Sequence, residues 1–170
     1  NLETQENIKD NVHLTTGKSF RSFSEQDSYS SKKVKEMIDA GGLCPESFAT
    51  WNLINLFVEN IKENSNVMLD GSPRRIEEAH RLEETLDFYG YKNIVVIYID
   101  VNKDWASDRL MNRGRADDMK TGIESRLSWF DSEVLPIVEY YKSNSKYNLL
   151  TINGMQTIED VQKEILEKLK

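Results

Sequence analysis

The sequence holds a single cysteine, Cys44, in 170 residues. A lone cysteine excludes an internal disulfide and a cysteine-based zinc site, and it fits a reducing compartment. No apolar run approaches the ~18 residues of a membrane span. The opening stretch is polar and mixed in charge, so it does not read as a secretory signal. Basic side chains are the minority, 22 against 29 acidic, for a net charge of -7. That balance argues against non-specific coating of nucleic acid, leaving only a local basic cluster to consider. The two histidines, His13 and His80, have no partners at the spacing that metal binding or acid–base work needs. There is no internal repeat and no low-complexity tract.

What remains is enough chain for one domain with a real core, and short for two. A helical pattern runs from Ser28 to Ala40 and stops at Gly41-Gly42. Pro45-Glu46 opens another, with Leu53, Ile54, Phe57 and Val58 among its apolar positions. Val67-Met68-Leu69 reads as a buried parallel strand ending in Asp70-Gly71. Arg75 to Tyr89 reads as a helix. Ile94 to Val101 is β-branched, aromatic and nearly all apolar, the best strand in the chain. Lys103 to Asn112 is helical, and Met119 to Ser143 reads as a long helix kinked at Pro136. Leu149 to Ile152 is a short strand, and Thr157 caps a closing helix that ends near Leu169. Strands alternating with helices imply an α/β fold in three layers, a parallel sheet between helices. Ligands of such sheets bind beyond the carboxyl ends of the strands.

Those ends carry the arginines. Arg74 and Arg75 follow Asp70; Arg109, Arg113, Arg115 and Arg126 follow the strong strand; Arg21 lies near the front. Guanidinium forks match phosphate oxygens bidentately and keep their charge at any working pH. Phosphoryl transfer uses many of them, because its transition state spreads negative charge over oxygens. Singly, each has a plainer explanation: Arg109 and Arg113 as an exposed helix face, Asp117-Asp118 as a helix cap, Arg74-Arg75 as an ordinary turn. Their conjunction at two successive strand ends favours phosphate chemistry.

The motifs resemble those of the adenylate kinase (nucleoside monophosphate kinase) family, in its short-lid form. Asp70-Gly71-Ser72-Pro73-Arg74 is similar to the family's Asp-Gly-Phe-Pro-Arg. Thr16-Gly17-Lys18-Ser19-Phe20-Arg21 is similar to its Thr-Gly-Asp-x-x-Arg. Gly42-Leu43-Cys44-Pro45 matches Gly-x-Leu-Val-Pro in outline. Arg109 to Asp118, with Arg126, resembles the lid arginines and the following helix start. Pro136 with Tyr140-Tyr141, and Ile152-Asn153-Gly154, complete a series that keeps family order from about His13 to the end.

The resemblance implies transfer of the terminal phosphoryl of ATP to a nucleoside monophosphate, most simply AMP, with Mg²⁺ and without zinc. It implies one kinase domain, with a monophosphate-binding region over about residues 15–45 and a short lid over about 109–118. Arg21 and Arg74 would meet the monophosphate. Thr16, Gly17, Gly71 and the backbone from Gly42 to Cys44 would line its nucleoside. Asp70 would hold Mg²⁺ through water. Arg109 would stack on the ATP adenine, and the backbone at Gln156 would touch it. Arg113, Arg115 and Arg126 would clamp the phosphates, with Asp117 and Asp118 orienting them. The implied partners are ATP and the acceptor nucleotide, with neither nucleic acid nor membrane, in a cytoplasmic monomer.

Two departures stand out. The family's first strand and its Gly-x-x-x-x-Gly-Lys loop, whose amides cradle phosphates, have no counterpart in the sequence. Asn1 to Asn11 would be the end of the first helix and the loop after it. About 25 native residues that would form the strand and phosphate loop are expected to precede Asn1; the alternative is a non-catalytic AMP-sensing relative. In addition, the family's base-reading glutamine, four residues after Arg74, is Glu78. A carboxylate only accepts hydrogen bonds, so Glu78 suits a guanine edge better than an adenine edge, unless it is simply a surface residue of its helix. A kinase preferring GMP or another monophosphate is therefore the alternative to AMP.

Overall fold

The protein is described here from a computed structural model covering residues 11–113 and 120–170. Twelve named elements follow one another: β1 (Asn11–Thr15), α1 (Thr16–Ser24), α2 (Tyr29–Asp39), α3 (Glu46–Asn60), β2 (Asn66–Asp70), α4 (Ile76–Phe88), β3 (Ile94–Asp100), α5 (Lys103–Arg113), α6 (Lys120–Trp129), α7 (Leu135–Ser143), β4 (Tyr147–Asn153) and α8 (Ile158–Lys168). The sequence expectation of a helix tail over Asn1 to Asn11 falls almost wholly outside the described residues; Asn11 itself opens β1.

The strands form two parallel pairs. β1 lies on β2, with Leu14 opposite Leu69 and Thr15 opposite Asp70. β3 lies on β4, with Ile97 opposite Leu150 and Asp100 opposite Asn153. Among the described residues no ladder joins the two pairs. Helix α4 joins them instead, through packing. Its Leu82 and Leu86 sit with Leu14, Leu53 and Phe57 in one buried cluster, against Val67 and Leu69 of β2. Its Ala79 sits with Ile137, Tyr141 and Tyr147 in a second, against Val96 and Leu149. Ile94 packs against both. Residues 79, 82 and 86 are spaced as one apolar helix face requires, so one helix holds both halves of the core. Phe57 and Leu53 are fully buried.

Helix ends follow their chemistry. The Ser28 hydroxyl accepts from Ser31 N and the Ser31 hydroxyl accepts from Ser28 N, a reciprocal cap on α2. Ser28→Ala is expected to cost about 1 kcal/mol of stability, read as a lowered midpoint in chemical denaturation; an unchanged midpoint would show that the cap is idle. Thr157 caps α8 by accepting from Asp160 N at 3.1 Å.

One helix expectation needs correction. The segment to Ser143 is not a single helix kinked at Pro136. α6 ends at Trp129, a π-helical turn spans Phe130–Val134, and α7 then begins. Proline lacks an N–H and its ring crowds the carbonyl four residues back. The wider turn lies directly before Pro136, where that crowding falls.

Candidate active site

A cleft of about 520 Å³ opens at the carboxyl ends of β1 and β2, with Ile97 of β3 on its lining. β2 ends at Asp70, and the chain then turns through Gly71 and Pro73 before α4 starts. This loop delivers Arg74. Its Nε donates to the Gly71 carbonyl at 2.8 Å, which aims the guanidinium back across the loop. α1 begins immediately after β1 with Thr16 and Gly17, so the first turn of a helix, whose amides favour anions, forms the cleft floor. Thr16 is buried; its hydroxyl donates to the Asp70 carbonyl at 3.4 Å. Asn52, also buried, accepts from the Ser19 hydroxyl at 2.6 Å and donates to the Thr16 carbonyl at 3.4 Å. It ties α1 to α3.

Gly17 marks where two cations meet. A Cβ placed on it would lie 3.4 Å from Arg21 Nη1 and 3.9 Å from Arg74 Nη2. These are ordinary van der Waals distances, so the two guanidinium groups lie directly over this position. Arg113, at the end of α5, and Arg126, on α6, line the same cleft. Four arginines, from three helices and one loop, therefore face one space in an acidic protein. Burial pushes the Arg74 guanidinium below its ordinary pKa, and the adjacent Glu78 carboxylate works against that. An arginine keeps its charge through such a shift. The opposite wall is largely apolar, built from Phe20, Ile38, Leu43, Cys44 and Trp129. Burial raises the pKa of the Cys44 thiol, which keeps it a neutral wall residue instead of a thiolate.

Of the residues singled out in the sequence, Thr16, Gly17, Arg21, Gly42, Cys44, Asp70, Gly71, Arg74, Glu78, Arg113 and Arg126 all line this cleft. Arg109 and Gln156 do not. Arg109 is exposed and lies over the Trp105 ring at 4.7 Å. The Gln156 side chain donates to Glu164 Oε2 at 2.7 Å, just past the end of β4. Arg115, Asp117 and Asp118 lie outside the described residues.

Sequence reasoning missed how the wall is fastened. Arg75 Nη1 donates to the Cys44 carbonyl at 2.6 Å, and its Nε lies 3.5 Å from Glu133 Oε2. Trp129 Nε1 donates to the Gly41 carbonyl at 3.2 Å. Gly41 has φ of 70°, and a Cβ on it would lie 2.5 Å from the Gly122 carbonyl oxygen. Only glycine permits that approach. The loop from Gly41 to Cys44 is thus pinned to α4, α6 and the π-helical turn. Trp129 is thereby a wall residue of the cleft.

Asp70 is exposed in the cleft. Among the described residues no three His, Cys, Asp or Glu side chains gather into a metal cage. Mg²⁺ in nucleotide sites keeps several waters and takes one or two carboxylates plus phosphate oxygens. The exposed Asp70 carboxylate, in the same cleft as the arginines, fits that pattern.

Parallel strands under helices, with the cleft at their carboxyl ends, define an α/β kinase-like fold of the phosphate-loop class. Sequence comparison agrees: the adenylate kinase family model matches residues 4–146. An adenylate kinase of Corynebacterium urealyticum is 33% identical over 154 residues, 91% of this chain and 82% of the relative. One from Nostoc is 33% identical over 153 residues, 90% of this chain and 82% of the relative. One from Encephalitozoon cuniculi is 32% identical over 160 residues, 93% and 83%. The chain belongs to the adenylate kinase family. It is a nucleoside monophosphate kinase.

Proposed function

We propose that the protein moves the terminal phosphoryl of ATP to AMP, yielding two ADP, as a cytoplasmic monomer. The observation that carries this reading is the convergence of Arg21, Arg74, Arg113 and Arg126 on one cleft. Arg21 and Arg74, which meet over Gly17, hold the acceptor phosphate. Arg113 and Arg126 stand where the transferred group passes. An acceptor phosphate oxygen attacks the γ-phosphorus, and the bond from that phosphorus to the β–γ bridging oxygen breaks. The leaving ADP keeps the electron pair. The acceptor is already anionic, so no side-chain base is required. The chain's task is alignment and charge stabilisation, as phosphoryl transfer demands.

Mg²⁺ bound with ATP supplies further neutralisation of phosphate charge. Asp70 would hold it through water. Arg115 belongs with Arg113 and Arg126 in the phosphate clamp, with Asp117 and Asp118 orienting it. Arg109 and the backbone at Gln156 belong to the ATP base. The single buried cysteine supports a reducing compartment. No helix among the described residues is long and apolar enough to cross a membrane.

The pinned wall gives a test of the acceptor side. Arg75→Ala frees the Cys44 carbonyl and is expected to raise KM for AMP by about tenfold, near the lower end of the worth of one hydrogen bond to a charged group. KM for ATP should not move. Steady-state kinetics with each nucleotide varied separately reads this, and an equal rise in both constants would contradict the assignment of this wall to the acceptor.

A further inference from the structure

Glu78 is a buried carboxylate that the proposed phosphoryl transfer does not use. It is 5% exposed and lies on the cleft, in the first turn of α4. Its two oxygens differ. Oε2 accepts from the Arg74 backbone N–H at 2.9 Å and from the Ser72 hydroxyl at 3.4 Å. Oε1 receives no hydrogen bond from the described residues. The Arg74 amide fixes the carboxylate in place, and it does so through one oxygen only. A glutamine held by the same amide would accept with its one carbonyl oxygen and turn its NH₂ toward the cleft. The glutamate turns an acceptor there instead. A ligand edge that displaces water from this oxygen must supply a donor in its place, or the oxygen's hydrogen bonds are lost.

We propose that Glu78 is a specificity-determining residue that admits a guanine edge to the acceptor site, alongside adenine. This rests on the kinase reading above, which puts the acceptor nucleotide in this cleft. Guanine presents two adjacent donors, N1–H and the 2-amino group. Both lone pairs of Oε2 are already engaged, by the Arg74 amide and the Ser72 hydroxyl, so Oε1 with its two lone pairs is the oxygen that can accept from both. Adenine offers the carboxylate one donor, its 6-amino group. Its N1 is an acceptor, and it meets carboxylate lone pairs with repulsion. The apolar wall of Phe20, Leu43, Cys44 and Trp129 packs either purine and does not discriminate. The carboxylate does, by attraction to one edge and repulsion of the other.

The test uses the full-length native protein and its Glu78→Gln variant, with GMP and AMP as acceptors and ATP–Mg²⁺ as donor. Glutamine keeps an acceptor for the Arg74 amide. The expected result is that the ratio of kcat/KM for GMP over AMP falls by about tenfold or more in the variant. A folded variant with an unchanged ratio overturns the proposal. Calorimetric binding of GMP, IMP and AMP to the unmodified protein gives a measurement that needs no variant. IMP lacks the 2-amino donor, so GMP should bind about tenfold tighter than IMP. Equal binding of GMP and IMP overturns the proposal as well. The kinase reading fails by a different result: no phosphoryl transfer to any monophosphate. If the binding order GMP over IMP persists in that case, the base assignment stands without it.

Discussion

Arg74→Ala is expected to reduce turnover by about 10²–10³-fold, the loss seen when one preorganised donor to a transition-state oxyanion is removed. The argument rests on how Arg74 is held. Its Nε is committed to the Gly71 carbonyl at 2.8 Å, and its Nη2 lies 3.5 Å from the Cβ position of Gly71 and 3.9 Å from that of Gly17. The forked end is therefore aimed before any ligand arrives, beside the similarly placed Arg21. Such preorganisation helps most where negative charge grows during the reaction. Arg74→Lys should recover only part of the loss, because an ammonium cannot match two phosphate oxygens at once. Coupled assays under saturating ATP measure both variants. A near-normal rate for Arg74→Ala would remove this arginine from the reacting phosphates.

The second large effect concerns the core. Phe57→Ala should destabilise the fold by about 3–5 kcal/mol. Phe57 is fully buried on α3 and packs with Leu14, Leu53, Leu82 and Leu86, with its ring 5.7 Å from that of Tyr89. Alanine there removes most of a ring from the cluster that holds β1 and β2 to α4. The same cluster seats Thr15 and Asp70 at the strand ends, so the cleft should loosen with it. Urea denaturation followed by circular dichroism gives the value. A loss below about 1 kcal/mol would mean that the site collapses around the gap.

Much of this arrangement is written locally. The alternation of β2, α4 and β3 follows from apolar runs and helical spacing, which depend on a few neighbours. Ser28 and Thr157 announce their helices because capping is a contact between near residues. The cleft residues that come from motifs are legible for the same reason: Asp70, Gly71 and Arg74 share one loop. What the sequence hides is long-range. Nothing around Arg75 shows that it reaches the Cys44 carbonyl 31 residues away. Nothing around Trp129 shows that its indole meets Gly41, 88 residues away. Asn52 did leave a signal, a polar residue between Trp51 and Leu53 in an apolar helix pattern, and its buried link to Thr16 explains it. The π-helical turn lies before Pro136, and periodicity alone reads straight through it. Glu78 was legible as a substitution, but which of its oxygens is free needed the fold.

The central claim is that this cleft passes a phosphoryl group between nucleotides. The most direct measurement is a coupled phosphoryl-transfer assay on the full-length native protein, with ATP and Mg²⁺ against AMP, GMP, CMP and UMP in parallel. The account predicts turnover with AMP, measurable turnover with GMP, and little with the pyrimidines. No turnover with any acceptor, alongside clear AMP binding, would contradict it and define a nucleotide-sensing protein instead.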